Sequence, residues 1–154
     1  MSGAQLEQTT GADPLVQALS SAQVAEVMAR YDADEAGPGP GPDVPFLLAR
    51  LDGRPVGCVG LAPLDGAVGE VKRMYVDPAA RGHRIGRLLL GGVERLAAAH
   101  GYRLLRLEAG TEQPEALRLY ASAGWSRIPC YGFFKDDPRT VCFEKPVTGH
   151  PLAD

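Results

Sequence analysis

Apolar and polar positions along the chain repeat with two different periods, and the switches between them mark its elements. Ile85, Leu88, Leu89, Val93, Leu96 and Ala97 recur at three- and four-residue intervals, which predicts a helix with one buried face that ends at Gly101. The same spacing through Ala116, Leu119, Tyr120 and Ala123 predicts a second helix over 112–123, closed by Gly124. Nearer the start, Pro14 to Leu19 and Val24 to Tyr31 read as one or two amphipathic helices, with Asp13 as N-cap and Pro14 in the first turn. Short apolar, β-branched runs over 45–51 and 55–62, joined by Asp52-Gly53-Arg54, predict a β-hairpin. A third run, Glu70 to Val76, follows the turn at Asp65-Gly66, and 102–108 and 140–144 predict two further strands. No period covers the first dozen residues, which are read as a short edge strand or a loose segment, and 146–154 reads as a frayed tail. The order is helices, a three-strand meander, helix, strand, helix, strand: an α+β, or mixed α/β, sheet with packed helices.

Composition narrows the class. A chain of 154 residues with 45% hydrophobic and 23% charged residues suits one domain spanning 1–154, and favours neither disorder nor a membrane protein. Apolar runs fall far short of the ~20 residues a bilayer crossing needs, and no basic, then apolar, leader opens the chain, so a cytoplasmic protein is expected. Cys58, Cys130 and Cys142 are odd in number and widely spaced, which predicts neither a disulfide framework nor a metal site; they are read as packing residues.

Charge is distributed unevenly. The formal net charge of −3 argues against nucleic acid as a partner. Residues 1–43 hold seven acids against Arg30 alone, whereas 66–106 hold three acids against eight bases. That central positive field would draw in an anion.

Asp77-Pro78-Ala79-Ala80-Arg81-Gly82-His83-Arg84-Ile85-Gly86 joins the strand at 70–76 to the helix beginning near Arg84. A strand feeding a glycine-bearing turn and a helix N-terminus aims several backbone N–H groups at one place, with the helix dipole adding positive potential. Arg81, Arg84 and Arg87 add charge, and no acid within 78–93 competes, so phosphate is the natural anion. Neither the P-loop nor the Gly-x-Gly-x-x-Gly pattern occurs here. Gly37 to Pro42 is no second cradle, because alternate prolines lack the N–H an anion would need.

Arg81-Gly82-His83-Arg84-Ile85-Gly86 resembles the Gln/Arg-x-x-Gly-x-Gly/Ala cofactor loop of the GNAT superfamily of acyl-CoA N-acyltransferases, with Arg84 at the first motif glycine. The N–H of a residue with a β-carbon still donates there if its φ is helical. Gln113-x-x-Ala116-x-x-Leu119-Tyr120-x-x-x-Gly124-Trp125 resembles the family's Asn-x-x-Ala-x-x-Leu-Tyr-x-x-x-Gly-Phe segment. Glu70 to Pro78, Gln113 to Ala116 and Asp137 to Lys145 resemble a subgroup of small prokaryotic members whose substrates are poorly defined. The likeness covers about residues 45–145. It implies a central, mostly antiparallel twisted sheet with helices on both faces, splayed between the fourth and fifth strands.

The resemblance also implies roles. Acetyl-CoA would be the co-substrate, with no metal. The main chain of Met74, Tyr75 and Val76 would pair with the pantetheine amides like an added strand. The N–H groups of Arg81, Gly82, His83, Arg84, Ile85 and Gly86, with Arg87, would meet the pyrophosphate, and Gln113, Ala116 and Tyr120 would line the cofactor arm. Acyl transfer to an amine needs a base and an acid. Glu70, eleven residues before Arg81, stands at the offset of the family's glutamate base and would act through water, while Tyr120 matches its general acid. A backbone N–H of Tyr75 or Met74 would meet the oxyanion.

Lys72 and Arg73 flank Glu70, and either could pair with a substrate carboxylate, favouring an amino-acid-like or acidic small molecule, or the two could contact solvent or the cofactor's own phosphates; the acidic N-terminal helices favour a cationic amine instead. The expected activity is transfer of an acetyl group to a primary amine of a small molecule by direct attack, in a monomer or homodimer. A non-catalytic acyl-CoA-binding or sensing module is the alternative, and a purely structural interaction domain is a third reading.

Overall fold

The elements are, in chain order, β1 (Ala4–Thr10), α1 (Pro14–Tyr31), β2 (Pro45–Leu51), β3 (Arg54–Asp65), β4 (Val68–Val76), α2 (Ile85–Ala99), β5 (Leu104–Gly110), α3 (Pro114–Ser122), β6 (Ser126–Ile128) and β7 (Thr140–Pro146), with a 3-10 turn over Pro78–Ala80. They are taken from a computed structural model that describes residues 3–31, 39–132 and 134–148. One seven-stranded sheet runs β1-β2-β3-β4-β5-β7-β6, antiparallel except between β4 and β5.

Local chemistry explains the boundaries. Asp13 Oδ1 accepts the Leu15 N–H at 2.9 Å, and its other oxygen accepts the Thr9 hydroxyl at 2.8 Å, so the expected cap starts α1. Those bonds favour the ionised carboxyl and lower the Asp13 pKa. At the β2–β3 hairpin both Asp52 and Gly53 take positive φ, 52° and 83°, as a type I′ turn requires.

Alternation along β2 sends Phe46 and Leu48 to one face, with Val16 and Cys58, and Leu47 and Ala49 to the other, with Leu89, Leu90 and Val93. Apolar side chains therefore leave both faces of the sheet to be covered. Helix α1 takes the first face, and α2 and α3 take the second. The expected two-sided sheet is observed.

Differences from the sequence reading have physical causes. Residues 4–10 take the edge-strand alternative rather than the loose one, pairing with β2 along their whole length; β1 turns only part of one face inward, which left no clean alternation. The three-residue β6 is too short to carry a period. Helix α1 is continuous, β3 extends to Asp65, and β7 extends to Pro146, after which the Val147 N–H bonds the Arg103 carbonyl at 2.9 Å. Pro146 and Val147, expected as part of a frayed tail, are thus held to the sheet; residues 149–154, and Gly37 and Pro38 of the proline-glycine loop, lie outside the described residues.

Strands β4 and β5 are in register only at Val68–Leu104, Gly69–Leu105 and Glu70–Arg106. From there β4 continues to Val76 and β5 to Gly110 without facing each other as partners. A bulge accompanies the parting: Cys58 pairs with Tyr75 and Gly60 with Lys72, and the extra residue is accommodated at Arg73, whose φ is 55°. A left-handed arginine in a strand is a strained position of the kind found where a site is built.

Candidate active site

Between the parted strands lies a cavity of about 450 Å³. One wall is Val71 and Arg73 to Val76 of β4, the other Leu107 to Ala109 of β5. Gln23 and Glu26 of α1 close one side, and Gln113, Ala116, Leu119 and Tyr120 another. The end is Arg81, Gly82 and Arg84 to Arg87, the start of α2.

That start leaves donors open. The first intrahelical bond runs from the Leu88 N–H to the Arg84 carbonyl at 3.1 Å, so the amides of residues 84–87 have no acceptor within the helix. Arg84 is the helix N-cap at φ 61°, ψ 22°, which is left-handed rather than right-handed helical. The sequence reading asked for a helical φ that a β-carbon tolerates; the observed conformation is the one glycine adopts without strain, and arginine holds it here. Gly82, at φ 93°, needs its glycine for the same reason, and a β-carbon there would meet no atom within 4 Å. At Gly86 the constraint is packing: a β-carbon would come within 3.1 Å of Leu119 Cδ2, so the residue sets how closely α3 lies on α2.

The charged side chains do not all point where the motif suggested. The Arg81 guanidinium donates to Glu26 at 3.0 and 3.1 Å and to the Val76 carbonyl at 3.0 Å, and lies 5.8 Å from the Tyr75 ring centroid. Counting acids only within 78–93 missed this competitor, which arrives from α1. Arg87 donates to the Ser122 hydroxyl at 2.7 Å, and His83 Nδ1 lies 3.0 Å from the Ala80 carbonyl, off the cavity wall.

Arg73 lines the cavity with its guanidinium half-buried, and burial lowers its pKa. Among the described residues no carboxylate forms an ion pair with it. Lys72 is turned away instead, with Nζ 3.6 Å from Glu70 Oε1, and takes no part in the cavity wall.

Glu70 is 8% exposed, so it is not a solvated strand residue. Its carboxylate accepts the Tyr131 hydroxyl at 3.0 Å, and Glu70 is not among the residues that line the cavity. Tyr120 is buried against Trp125 and Phe143, and burial pushes its phenol up to about 12, which keeps the proton on the oxygen. Burial likewise pushes Cys58 and Cys142 up to about 12, in keeping with thiols that serve packing.

Glu108, Gln23, Glu26 and Tyr131 were not read from the sequence. Glu108 had a visible signal: in Leu105-Arg106-Leu107-Glu108 the leucines enter the core, which puts the acid on the opposite side of a strand bordering the splay. Among the described residues no group of His, Cys, Asp and Glu is placed to hold a metal ion, and no helix is long and apolar enough to cross a membrane.

A cavity between two parting strands, opening on a helix N-terminus rich in unpaired N–H groups, defines a site for an extended ligand with an anionic end. Residues 15–125 match the model of the Acetyltransferase (GNAT) family. The chain is 43% identical over 107 residues, 69% of its length and 70% of the relative's, to an IAA acetyltransferase of Azospirillum brasilense. Its fold is similar to that of a Klebsiella pneumoniae structure classed as an acyl-CoA N-acyltransferase, with a TM-score of 0.80 at 30% identity, covering 94% of this chain and 97% of that one. It also matches, at 20% identity and a TM-score of 0.71, covering 94% and 98%, a GNAT family acetyltransferase from Elizabethkingia anophelis with acetyl-CoA bound. The chain belongs to the GNAT acetyltransferase family. It is an acyl-CoA-dependent N-acetyltransferase, of a family that uses acetyl-CoA as co-substrate.

Proposed function

We propose that the enzyme acetylates the primary amine of a small, amino-acid-like molecule, one that carries a carboxylate, by direct attack on the thioester. The observation that carries this reading is Arg73, a residue of the cavity wall whose half-buried guanidinium, beside Gly39, has no ionic partner among the described residues. A desolvated cation of this kind is compensated by a bound anion, and a planar guanidinium suits a carboxylate.

The rest of the site supports the same reading. The unpaired N–H groups at the start of α2 take the pyrophosphate of acetyl-CoA, with Arg87 adding charge. The peptide groups of Met74, Tyr75 and Val76 pair with the pantetheine arm, Gln113, Ala116 and Leu119 cover it, and a β4 N–H meets the oxyanion. Acetyl-CoA supplies the activated acyl group. Tyr120, still protonated, gives a proton to the departing sulfur. Deprotonation of the amine falls to the carboxylates at the base of the splay, of which Glu70 was the sequence candidate.

The test is thiol release from acetyl-CoA with free amino acids, simple alkylamines and peptide N-termini, for the wild type and Arg73→Ala. Turnover of carboxylate-bearing amines, with KM raised about tenfold or more in the variant, is expected. Turnover confined to alkylamines, or indifferent to Arg73, overturns the carboxylate reading. Acetyl-CoA binding without release for any amine leaves the chain a binding module.

A further inference from the structure

We infer that Glu108, rather than Glu70, is the carboxylate that receives the acceptor's ammonium group and takes its proton. The inference rests on the acetyl-transfer reading of the cavity and concerns which side chain serves it.

Three observations carry it. Glu108 is on the cavity wall, on the strand opposite Arg73, whereas Glu70 is not. The Glu108 oxygen Oε2 is buried under Gly132 and, among the described residues, has no hydrogen-bond partner. An unsatisfied buried acceptor costs on the order of 1–3 kcal/mol, so a native structure that keeps one marks a place for a donor. Glu70, by contrast, is already engaged by the Tyr131 hydroxyl and by Lys72.

The surroundings fit a base. Glu108 takes a backbone N–H from Phe134 and packs under Gly132, where a β-carbon would come within 2.7 Å of Oε2. Glu70 and Lys72 face it from β4, Tyr131 from the loop before β7, and Cys142 from β7. Burial first, then the Glu70 charge, raises its pKa, while Lys72 and the Phe134 amide oppose that shift. Glu70 is therefore a positioning residue: fixed by Tyr131 and Lys72, it keeps negative charge beside Glu108 and makes that carboxylate a stronger proton acceptor.

The proton inventory balances. The ammonium N–H bond breaks and its proton goes to Glu108, freeing the nitrogen lone pair. That nitrogen bonds the acetyl carbon as the carbon–sulfur bond breaks; it sheds a second proton, and the sulfur takes one. One acetylated amine, one thiol and one net proton result.

β-Alanine and aminooxyacetate make a discriminating pair of probes. They are nearly isosteric carboxylates, but at neutral pH the first carries an ammonium and the second a neutral amine. Glu108→Gln should lower kcat/KM for β-alanine a hundredfold or more, and for aminooxyacetate by less than tenfold. Glu108→Asp should recover part of the loss. Glu70→Gln should shift the acidic limb of the β-alanine pH profile to lower pH. A second readout needs no turnover: the side-chain carboxyl 13C resonance of Glu108, assigned by its loss in Glu108→Gln, should titrate above the usual carboxylate range and move when β-alanine is added to the wild type.

Equal losses for the two probes, or a resonance that titrates normally and ignores β-alanine, overturn the assignment while leaving acetyl transfer intact. A responsive resonance with no thiol release from any amine overturns the acetyl-transfer reading and retains Glu108 as an ammonium-binding group.

Discussion

Arg81 and Glu26 meet at the cavity wall, guanidinium to carboxylate at 3.0 Å, and so tie α1 to the loop that precedes α2. The two side chains are about one-third and one-quarter exposed, a setting in which an ion pair contributes roughly 0.2–1 kcal/mol. Its larger consequence is for the incoming anion, because Glu26 places negative charge on the wall of a cavity that must take phosphates.

Releasing that pair should change acetyl-CoA affinity in opposite ways according to which partner is removed. Glu26→Gln frees the guanidinium and removes a repelling charge, so the dissociation constant should fall about threefold at low salt and converge on wild type at high salt. Arg81→Ala should weaken binding by no more than about threefold, since the backbone N–H groups of the loop remain. Calorimetric titration at two salt concentrations checks both. A tenfold loss in Arg81→Ala would mean the guanidinium leaves Glu26 for the pyrophosphate.

Arg84 sits left-handed at the N-cap of α2. That conformation costs a residue with a β-carbon roughly 1–2 kcal/mol, and glycine there would give back about 0.5–1 kcal/mol through the greater freedom of its unfolded chain. Arg84→Gly should therefore raise stability by about 0.5–1 kcal/mol, or about 1–4 °C in Tm for a chain of this size. Acetyl-CoA affinity at high salt should be unchanged, because the N–H that donates is kept. Thermal denaturation with and without acetyl-CoA separates the two effects; a lower Tm for Arg84→Gly would show that the side chain, not its backbone, matters at the cap.

Tyr120 packs its ring in the core and is one of the residues lining the cavity. Tyr120→Phe keeps the contacts with Trp125 and Phe143 and deletes only the proton donor. Acetyl-CoA binding and Tm should stay close to wild type, while kcat falls roughly a hundredfold. The loss should shrink with an acyl donor whose thiol is more acidic and leaves without help. A comparable loss for both donors would assign Tyr120 to packing.

Much of the framework was legible in the chain because it is written in short-range chemistry. The spacing of Ile85, Leu89, Val93 and Leu96 defines α2, Asp13 caps α1, and Asp52-Gly53 turns the hairpin. The resemblance of Arg81 to Gly86 and of Gln113 to Trp125 to family segments then supplied the splay, which periodicity alone could not. What escaped was set by tertiary contact. Glu26 neutralises Arg81 from 55 positions away, and Tyr131 claims Glu70 from 61 positions away. Neither distance leaves a trace in local pattern. The strained backbone at Arg73 and Arg84 was hidden for a related reason: both are arginines at positions where a left-handed φ normally announces itself through glycine.

Glu108 links the site to stability through pH. Its pKa is raised in the folded chain, chiefly by burial and then by Glu70. A carboxyl shifted upward makes its full favourable contribution to folding while protonated, below its unfolded pKa, and loses that contribution as pH climbs through the folded value. The wild type should therefore give up stability relative to Glu108→Gln across that window, since the amide never ionises. Glu70, Lys72, Tyr131 and Cys142 face the same carboxyl, and Asp13 titrates elsewhere with its pKa lowered, but all of these are shared by both proteins and largely cancel in the difference. Plotting Tm of Glu108→Gln minus wild type against pH should give a curve that is lowest in acid, rises through the Glu108 titration and levels off above it. A flat difference would show that Glu108 ionises in the fold as freely as in the open chain. A falling one would mean that its charge is stabilised by a partner within the fold, which would count against Glu108 as the ammonium-binding carboxylate. The expected rise pairs greater stability with lost turnover in one substitution, as when a chain keeps an unsatisfied carboxylate for chemistry.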